Sequence, residues 1–584
     1  MVDALPRPEY PRPDFQRKTW LNLNGEWDFA YDPEGVGEGE KWFNRTSLPD
    51  RIVVPFPVES DASGKGRAHP PRYLWYLKRF VMPSGMKGKP TLLNFGAVDY
   101  HARCWINGHF IGEHRGGYTP FSFEIASFLK EGENILVVRV EDSRSMYQVR
   151  GKQSFLKKDF MIFYRPVSGI WQTVWLETVG ESYLEEVLLL PDYRKKSMSF
   201  RITLNRDAGA LMLIRIFDPE GNECASVKSE LGGIQSVLTV NLKNIFPWSP
   251  EVPDLYKVRY TLKSLEGDVI DEVESYFGWR EISIEGDRIF LNGRPLYQKL
   301  LLNQGYYPGG HYTAPDDQVL RRDVEMVKEM GYNGIRIHQK IEDKRLLYWC
   351  DTLGVLTWAE MPSFYFPSRE GRKRLFDEWK QFMRRDFNHP CIVAWVPFNE
   401  TWGVMDLFWK RSTRLFIKKV VAFTRNFDRT RPVVDNSGFD HVDTDIVDIH
   451  LYPLVMPSAE KFRQMFKRYR AGKNMKYGLW GHLYNLLFPW IPIVKRPLAP
   501  GARYEGQPIM ISEYGGFGFY RSKKGKGLEE NLRDYTRVIM EEDWICGYCY
   551  TQQYDTYQER NGLVTFERKY KLPPEIIRNI NLPG

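Results

Sequence analysis

The stretch Cys391–Gly403 reads CIVAWVPFNETWG, and its reading decides how the second half of the chain is organised. CIVAWVPF has the make-up of a strand buried on both faces. An amide (Asn399) and a carboxylic acid (Glu400) close it, followed by Thr401 and Trp402. A carboxyl group at such a place is uncommon unless it is paired or functional. The structural alternative is a Glu400 neutralised by a nearby Arg or Lys.

Working outward, short apolar strands alternate with helical stretches from about Arg288 onward, the pattern of parallel βα units. The strand candidates are PLYQKLLLN, NGIRIH, GVLTWAE, IVAWVPFNE, RPVVDNS, DIVDIHLYP, PIMISEY and ICGYCYT, with stretches such as DDQVLRRDVEMVKEM and LEENLRDYTRVIMEED between them. They predict a C-terminal (β/α)8 TIM barrel over residues 286–584. Chemistry in such barrels sits at the C-terminal ends of the strands. The seventh strand ends on Glu513 as the fourth ends on Glu400, so two carboxyl groups distant in sequence converge on one rim. Arg336 in the second strand can hold a carboxylate in its charged form. Glu360 closes the third strand, Asp435 and Asn436 the fifth, His450 and Tyr452 the sixth, and Tyr550 the eighth; Gln339 and Trp402 follow the second and fourth.

A facing pair of carboxyl groups is the minimum apparatus for cleaving a glycosidic bond, one protonated to serve the leaving oxygen and one ionised to attack the anomeric carbon. Sequence spacing does not give their separation, so neither retention nor inversion follows from it. Competing chemistries lack their motifs: there is no P-loop, no G-x-G-x-x-G after a strand, no H-E-x-x-H and no G-x-S-x-G. Histidines show no metal-ligand spacing, so no metal and no cofactor is expected.

Toward the N-terminus, residues 1–180 read as many short strands divided by turns, fitting a β jelly-roll sandwich; LLNFGAVDYHARCWING ends on Asn107–Gly108, a hairpin signal. Residues 181–285 continue in strands spaced like a small immunoglobulin-like β-sandwich and offer no chemistry. The chain of 584 residues is too long for one core. Its hydrophobic fraction of 42% and charged fraction of 27% are those of a globular protein, and a net charge of +8 at this length does not argue for nucleic acid. Cys546 and Cys549 form a lone C-x-x-C inside an apolar strand rather than a zinc site. MVDALPRPEYPRPDF lacks a signal-peptide layout, and no apolar run reaches the ~20 residues of a membrane span. A cytoplasmic protein is the expectation.

With these residues in place, the chain resembles glycoside hydrolase family 2, the β-galactosidases, β-glucuronidases and β-mannosidases. The resemblance runs over nearly the whole length and rests on LNLNGEWDF, FGAVDYHARCWINGHFIGEHRGGYTPFSFEI, SGIWQTVWLE, FLNGRPLYQKLLLNQG, RRDFNHPCIVAWVPFNE and PIMISEYGG. It implies a retaining mechanism with Glu400 as acid/base and Glu513 as nucleophile. Asn399 would bind the sugar 2-hydroxyl, Arg336 would keep the nucleophile ionised, and Tyr452 would hydrogen-bond it. Where the family has His-Tyr-Pro after the second strand, this chain has Gln339 and Lys340 in RIHQKIED. The Asn-x-Lys by which β-glucuronidases grip a carboxylate is not visible in QERNGLVTFERK. A retaining exo-β-glycosidase is therefore expected, with a β-galactoside as first choice. A β-glucuronide or a pentoside of the α-L-arabinosidase type is the alternative, and a non-catalytic carbohydrate-binding protein is the rival of another class. The expected partner is a glycoside or oligosaccharide, and a homo-oligomer is left open. Outer contacts are expected from Lys152 and Gln153 in the first domain and from Trp480 and His482 in the basic, aromatic insertion 473–500.

Overall fold

The computed structural model describes residues 5–156, 159–207, 209–452, 459–461, 463–464, 496–518 and 527–582. Residues 473–495, and with them Trp480 and His482, lie outside these.

The N-terminal residues form an antiparallel sandwich of a six-stranded and a four-stranded sheet. Alternate residues of strands such as Tyr73–Val81 and Glu133–Glu141, paired along their whole length, point into one apolar core with Phe29, Val138 and Leu176. The expected hairpin joins His101–Ile106 to His109–Arg115; Asn107 and Gly108 both take positive φ (51° and 84°), the turn whose twist matches the flanking strands. Asn107 seals it by accepting from Ile135 N at 3.0 Å.

Seven strands from Leu184–Asp192 to Val269–Phe277 make a three-stranded and a four-stranded sheet closed over a second core. Strand Leu211–Phe217 shows why: every second residue is buried, the others half-exposed.

The C-terminal half is a curled parallel sheet of seven described strands, in the spatial order Ile392–Val396, Leu356–Glu360, Gly334–Ile337, Gln298–Asn303, Ile545–Thr551, Ile509–Gly515 and Val447–Leu451. Helices flank it, several capped as their sequences require: Asp316 accepts from Val319 N and Ser368 from Gly371 N, each at 2.9 Å. The expected fifth strand, RPVVDNS, is not regular. It lies in the gap between the two edges, bridging Trp395 through Val433 and Asn399 through Ser437. Asp435 explains the irregularity. Its carboxylate accepts from Asn436 N (2.8 Å) and Asp443 N (2.9 Å), so local side-chain bonds replace ladder bonds.

The first sandwich leans on the barrel rim. Arg150 N and Gly151 N both donate to Ser363 O at 3.0 Å, and Tyr164 OH donates to Glu559 at 2.6 Å. Among the described residues no helix is long and apolar enough to cross a membrane.

Candidate active site

The rim is organised around Arg336, which strand Gly334–Ile337 delivers fully buried into the barrel mouth. A guanidinium out of water needs acceptors for its rigid fork of donors, and strands on both sides supply them. Nε and Nη2 donate to Glu360 Oε2 (2.9 and 2.6 Å), Nη2 also to Asn399 Oδ1 (2.7 Å), and Nη1 to Ser512 O (3.0 Å) and Glu513 Oε1 (2.9 Å). One cation thereby registers four strand ends.

Glu513 is buried and takes a second hydrogen bond from the hydroxyl of Tyr452. Burial alone would raise its carboxyl; the fields of His450, Arg336 and His338 outweigh burial and a further upward push from Glu400, holding it below its ordinary value. Glu360 behind it is held down at about 2: burial opposes ionisation, but Arg336 and then His338 overcome it.

Glu400 stands differently. Its side chain keeps 19% exposure, and its Oε1 lies 2.9 Å from His450 Nδ1. Both Glu400 and Thr401 adopt left-handed backbone (φ 48° and 62°), a conformation that costs non-glycine residues about 1–3 kcal/mol each and is retained where the surroundings enforce it. Here Glu400 N donates to Ser437 O (3.0 Å) and Thr401 N to Asn436 Oδ1 (2.9 Å). The irregular fifth segment thus aims the acid.

His450 bridges the two carboxyl groups, its Nε2 lying 3.5 Å from Glu513 Oε1. One oxygen of Glu400, one of Glu513 and a ring nitrogen of His450 all lie within 4.8 Å of one another. Oxygens that approach this closely suit the ~5 Å carboxyl pairs of retaining glycosidases better than the ~6.5–9.5 Å pairs of inverting ones. By donor type the same triplet could also hold a divalent cation.

Asn399 is fully buried, and its Nδ2 has no acceptor among the described residues, a donor left over beside the two acids. The Trp402 ring lines the cleft, 6.3 Å from His338 and 5.7 Å from Tyr365.

Four expected contacts are turned away from the cleft. Gln339 spends its amide on Glu360 Oε1 (2.7 Å) and Ser363 N (2.9 Å). Tyr550 packs on Tyr514 with its hydroxyl on Asn561 O (3.1 Å). Gln153 donates to Asp99 (2.8 Å) and accepts from Val167 N (2.9 Å). Asp435 lies 2.6 Å from Nδ1 of the buried His441, whose other nitrogen is 3.1 Å from Asp448. Although burial works against it, Asp435 and Asp448 raise His441 to about 10. These acids brace the segment beneath the site rather than line it. Lys152 is buried over the ring of Tyr164, near enough to His338 for its charge to add to burial in lowering that histidine.

Sequence reasoning passed over His338, whose Nδ1 is 3.0 Å from Glu360, although it stands at the end of NGIRIH as plainly as Glu360 ends its own strand. It also missed Glu559. The signal for that residue, a position in the loop after the eighth strand, becomes specific only through its bond to Tyr164, far away in the chain.

Three profiles of one family match the chain: "Glycosyl hydrolases family 2, sugar binding domain" over residues 21–179, "Glycosyl hydrolases family 2" over 183–280, and "Glycosyl hydrolases family 2, TIM barrel domain" over 282–566. A β-galactosidase of Thermoanaerobacter pseudethanolicus is 29% identical over 70% of this chain and 55% of its own length. The chain spans about half the length of the first curated relatives it matches (55%, 48%, 40% and 51%). A β-glucuronidase of Paenibacillus borealis, 23% identical, aligns over 92% of this chain and 91% of its own. The β-glucuronidase of Ruminococcus gnavus, solved in complex with D-glucuronic acid, has the same fold, with a TM-score of 0.78 at 20% identity over 98% of this chain and 99% of that one.

Proposed function

The chain belongs to glycoside hydrolase family 2, and on that premise we propose that it is a retaining, exo-acting β-glycosidase with Glu513 as nucleophile and Glu400 as acid/base. The observation that carries this reading is a pair of carboxyl groups in unlike surroundings, with one oxygen of each within 4.8 Å of the other. Glu513 is buried against Arg336 and Tyr452, hence ionised and aimed. Glu400 sits at the more open edge, where a leaving oxygen can be reached.

In the first step Glu513 attacks the anomeric carbon, and Glu400 delivers its proton to the departing oxygen. In the second, Glu400 takes a proton from the water that displaces Glu513 from the sugar. Asn399 Nδ2 supplies a donor for the sugar 2-hydroxyl, a contact that strengthens as positive charge develops on the ring. Replacing Glu513 by Ala abolishes turnover. Replacing Glu400 by Ala abolishes it for substrates with poor leaving groups, while azide, which needs no deprotonation to attack, restores turnover of an activated aryl glycoside. Near-normal hydrolysis by either variant would refute the assignment.

For the glycone, a neutral β-galactoside is the first reading, supported by relatives named β-galactosidase. A β-glucuronide is the second, supported by the end-to-end alignment with the Paenibacillus borealis enzyme. Hydrolysis of a panel of p-nitrophenyl glycosides decides between them.

A further inference from the structure

Two buried groups close to the catalytic carboxyls play no part in the chemistry above. Lys152 comes from the first sandwich, and Glu559 from the loop that follows the last barrel strand. Lys340 sets the standard for a buried ammonium in this protein: it donates to Gly305 O (2.7 Å), Tyr312 O (2.9 Å) and Glu342 Oε1 (2.7 Å). Lys152 is also buried, with 6% exposure, yet its ammonium has no hydrogen-bond acceptor and no ion pair among the described residues. It lies over the ring of Tyr164, 5.5 Å from the centroid. A lysine packed into a buried setting whose donors bond nothing among the described residues leaves those donors for a bound molecule.

The same tyrosine carries the second group. Tyr164 OH donates to Glu559 Oε2 at 2.6 Å, and Glu559 is buried, with 2% exposure. Its other oxygen has no donor among the described residues. A lone donor over its ring and a lone acceptor at its hydroxyl thus share one aromatic side chain.

Both are tied to the reacting carboxylates. Tyr452 OH, which donates to Glu513, lies 3.4 Å from Thr551 Oγ1, and the next residue, Gln552, is hydrogen-bonded to Glu559 O (3.4 Å) and Asn561 Oδ1 (2.8 Å). On the other side Gly151, next to Lys152, is pressed onto the carbonyl of Gln339, whose amide holds Glu360. The electrostatics agree: burial raises the Glu559 carboxyl, Lys152 lowers it and Glu513 raises it again, so Glu559 senses both.

We propose that Lys152 and Glu559 form a donor–acceptor pair that binds a hydroxyl-bearing edge of the glycone and excludes a carboxylate from that edge, so that the enzyme takes neutral β-glycosides in preference to β-uronides. The proposal rests on the glycosidase reading. A hydroxyl accepts from an ammonium and donates to a carboxylate at the same time. A sugar carboxylate satisfies Lys152 but has no proton for Glu559 and brings a like charge against it, and a site built to bond a hydroxyl discriminates strongly against a group that leaves its polar atoms unpaired.

The test measures kcat/KM of the protein on p-nitrophenyl β-galactoside, β-fucoside and β-glucuronide at neutral pH. Wild type, Glu559→Gln, Lys152→Met and Glu513→Ala are compared. Wild type is expected to prefer a neutral glycoside by ~100-fold or more. Glu559→Gln should narrow that preference by ~10-fold or more, and Lys152→Met should lower turnover of the neutral glycoside by ~10–100-fold. Lys152→Met should also melt close to wild type, since the lysine nitrogen makes no hydrogen bond or ion pair with the described residues; a merely structural lysine would lower both. The proposal is overturned if wild type cleaves the glucuronide best, or if the preference is unchanged in Glu559→Gln with an unaltered melting temperature. Activity that disappears in Glu513→Ala keeps the glycosidase reading in either case. Silence on all three glycosides overturns both readings.

Discussion

The guanidinium of Arg336 and the carboxylate of Glu513 lie 2.9 Å apart with both side chains buried, and the same guanidinium reaches Asn399 at 2.7 Å. One cation therefore orients the proposed nucleophile and the amide proposed to meet the sugar. It also depresses the Glu513 carboxyl, which stays ionised as pH falls until its lowered folded-state value is reached.

Arg336→Gln should remove that support. The folded-state value of Glu513 then rises, and the acidic limb of the kcat/KM profile moves to higher pH. The rate at the optimum should drop by ~100-fold or more, and stability should fall by ~3–5 kcal/mol because Glu360 loses its buried partner as well. A pH–rate profile with a thermal melt checks this, and an unmoved acidic limb would disconnect Arg336 from the ionisation of Glu513.

His441 gives the fold a pH signature. Its folded value is raised from 6.5 to about 10 by Asp435 and Asp448. Its contribution to stability is therefore complete below the unfolded value and is lost as pH rises through the folded one. Melting temperature should decline between about pH 7 and pH 10 in wild type, with less decline in Asp435→Asn, which should itself be less stable by ~3–5 kcal/mol at neutral pH. Equal slopes in the two proteins would contradict it.

Gly151→Ala should injure activity and stability together. Gly151 has φ 57°, and an added Cβ would fall far inside van der Waals contact with Gln339 O, a backbone atom that cannot give way cheaply. The expected result is a melting temperature lower by several degrees and a kcat/KM reduced ~10-fold or more, because Gln339 carries Glu360 and through it Arg336. An active, stable variant would show that the two domains do not set the rim.

Chelation should leave turnover unchanged. Glu513 and Glu400 already face Arg336, Tyr452 and His450, and a cation between them would have to compete with the guanidinium for Glu513. Loss of activity on EDTA treatment, restored by a divalent ion, would make Glu400, His450 and Glu513 a metal site.

The strand leading into Asn399 and the positions of Glu400 and Glu513 were legible because buried parallel strands are runs of apolar residues and the barrel places their ends on one rim. Arg336, Glu360, His450 and Tyr452 followed from the same rule. The rule went too far at Asp435, which lies in the irregular fifth segment, and at Tyr550 near the end of the last strand. A strand-end side chain can turn inward to a buried partner, as Asp435 does to His441 and Tyr550 to Asn561 O, and no periodicity records that choice.

By itself the sequence determined the three-part architecture, the barrel and the two acids, all of which depend on local patterns of two or about four residues. Tertiary structure alone decided the separation of the acids, the left-handed backbone that aims Glu400, and the meeting of Lys152 with Tyr164 and Glu559. The first two depend on how the irregular fifth segment and the strand ends pack within the barrel, and the last on loops of different domains meeting. Such packing is set by contacts between residues hundreds of positions apart, and no spacing along the chain encodes it.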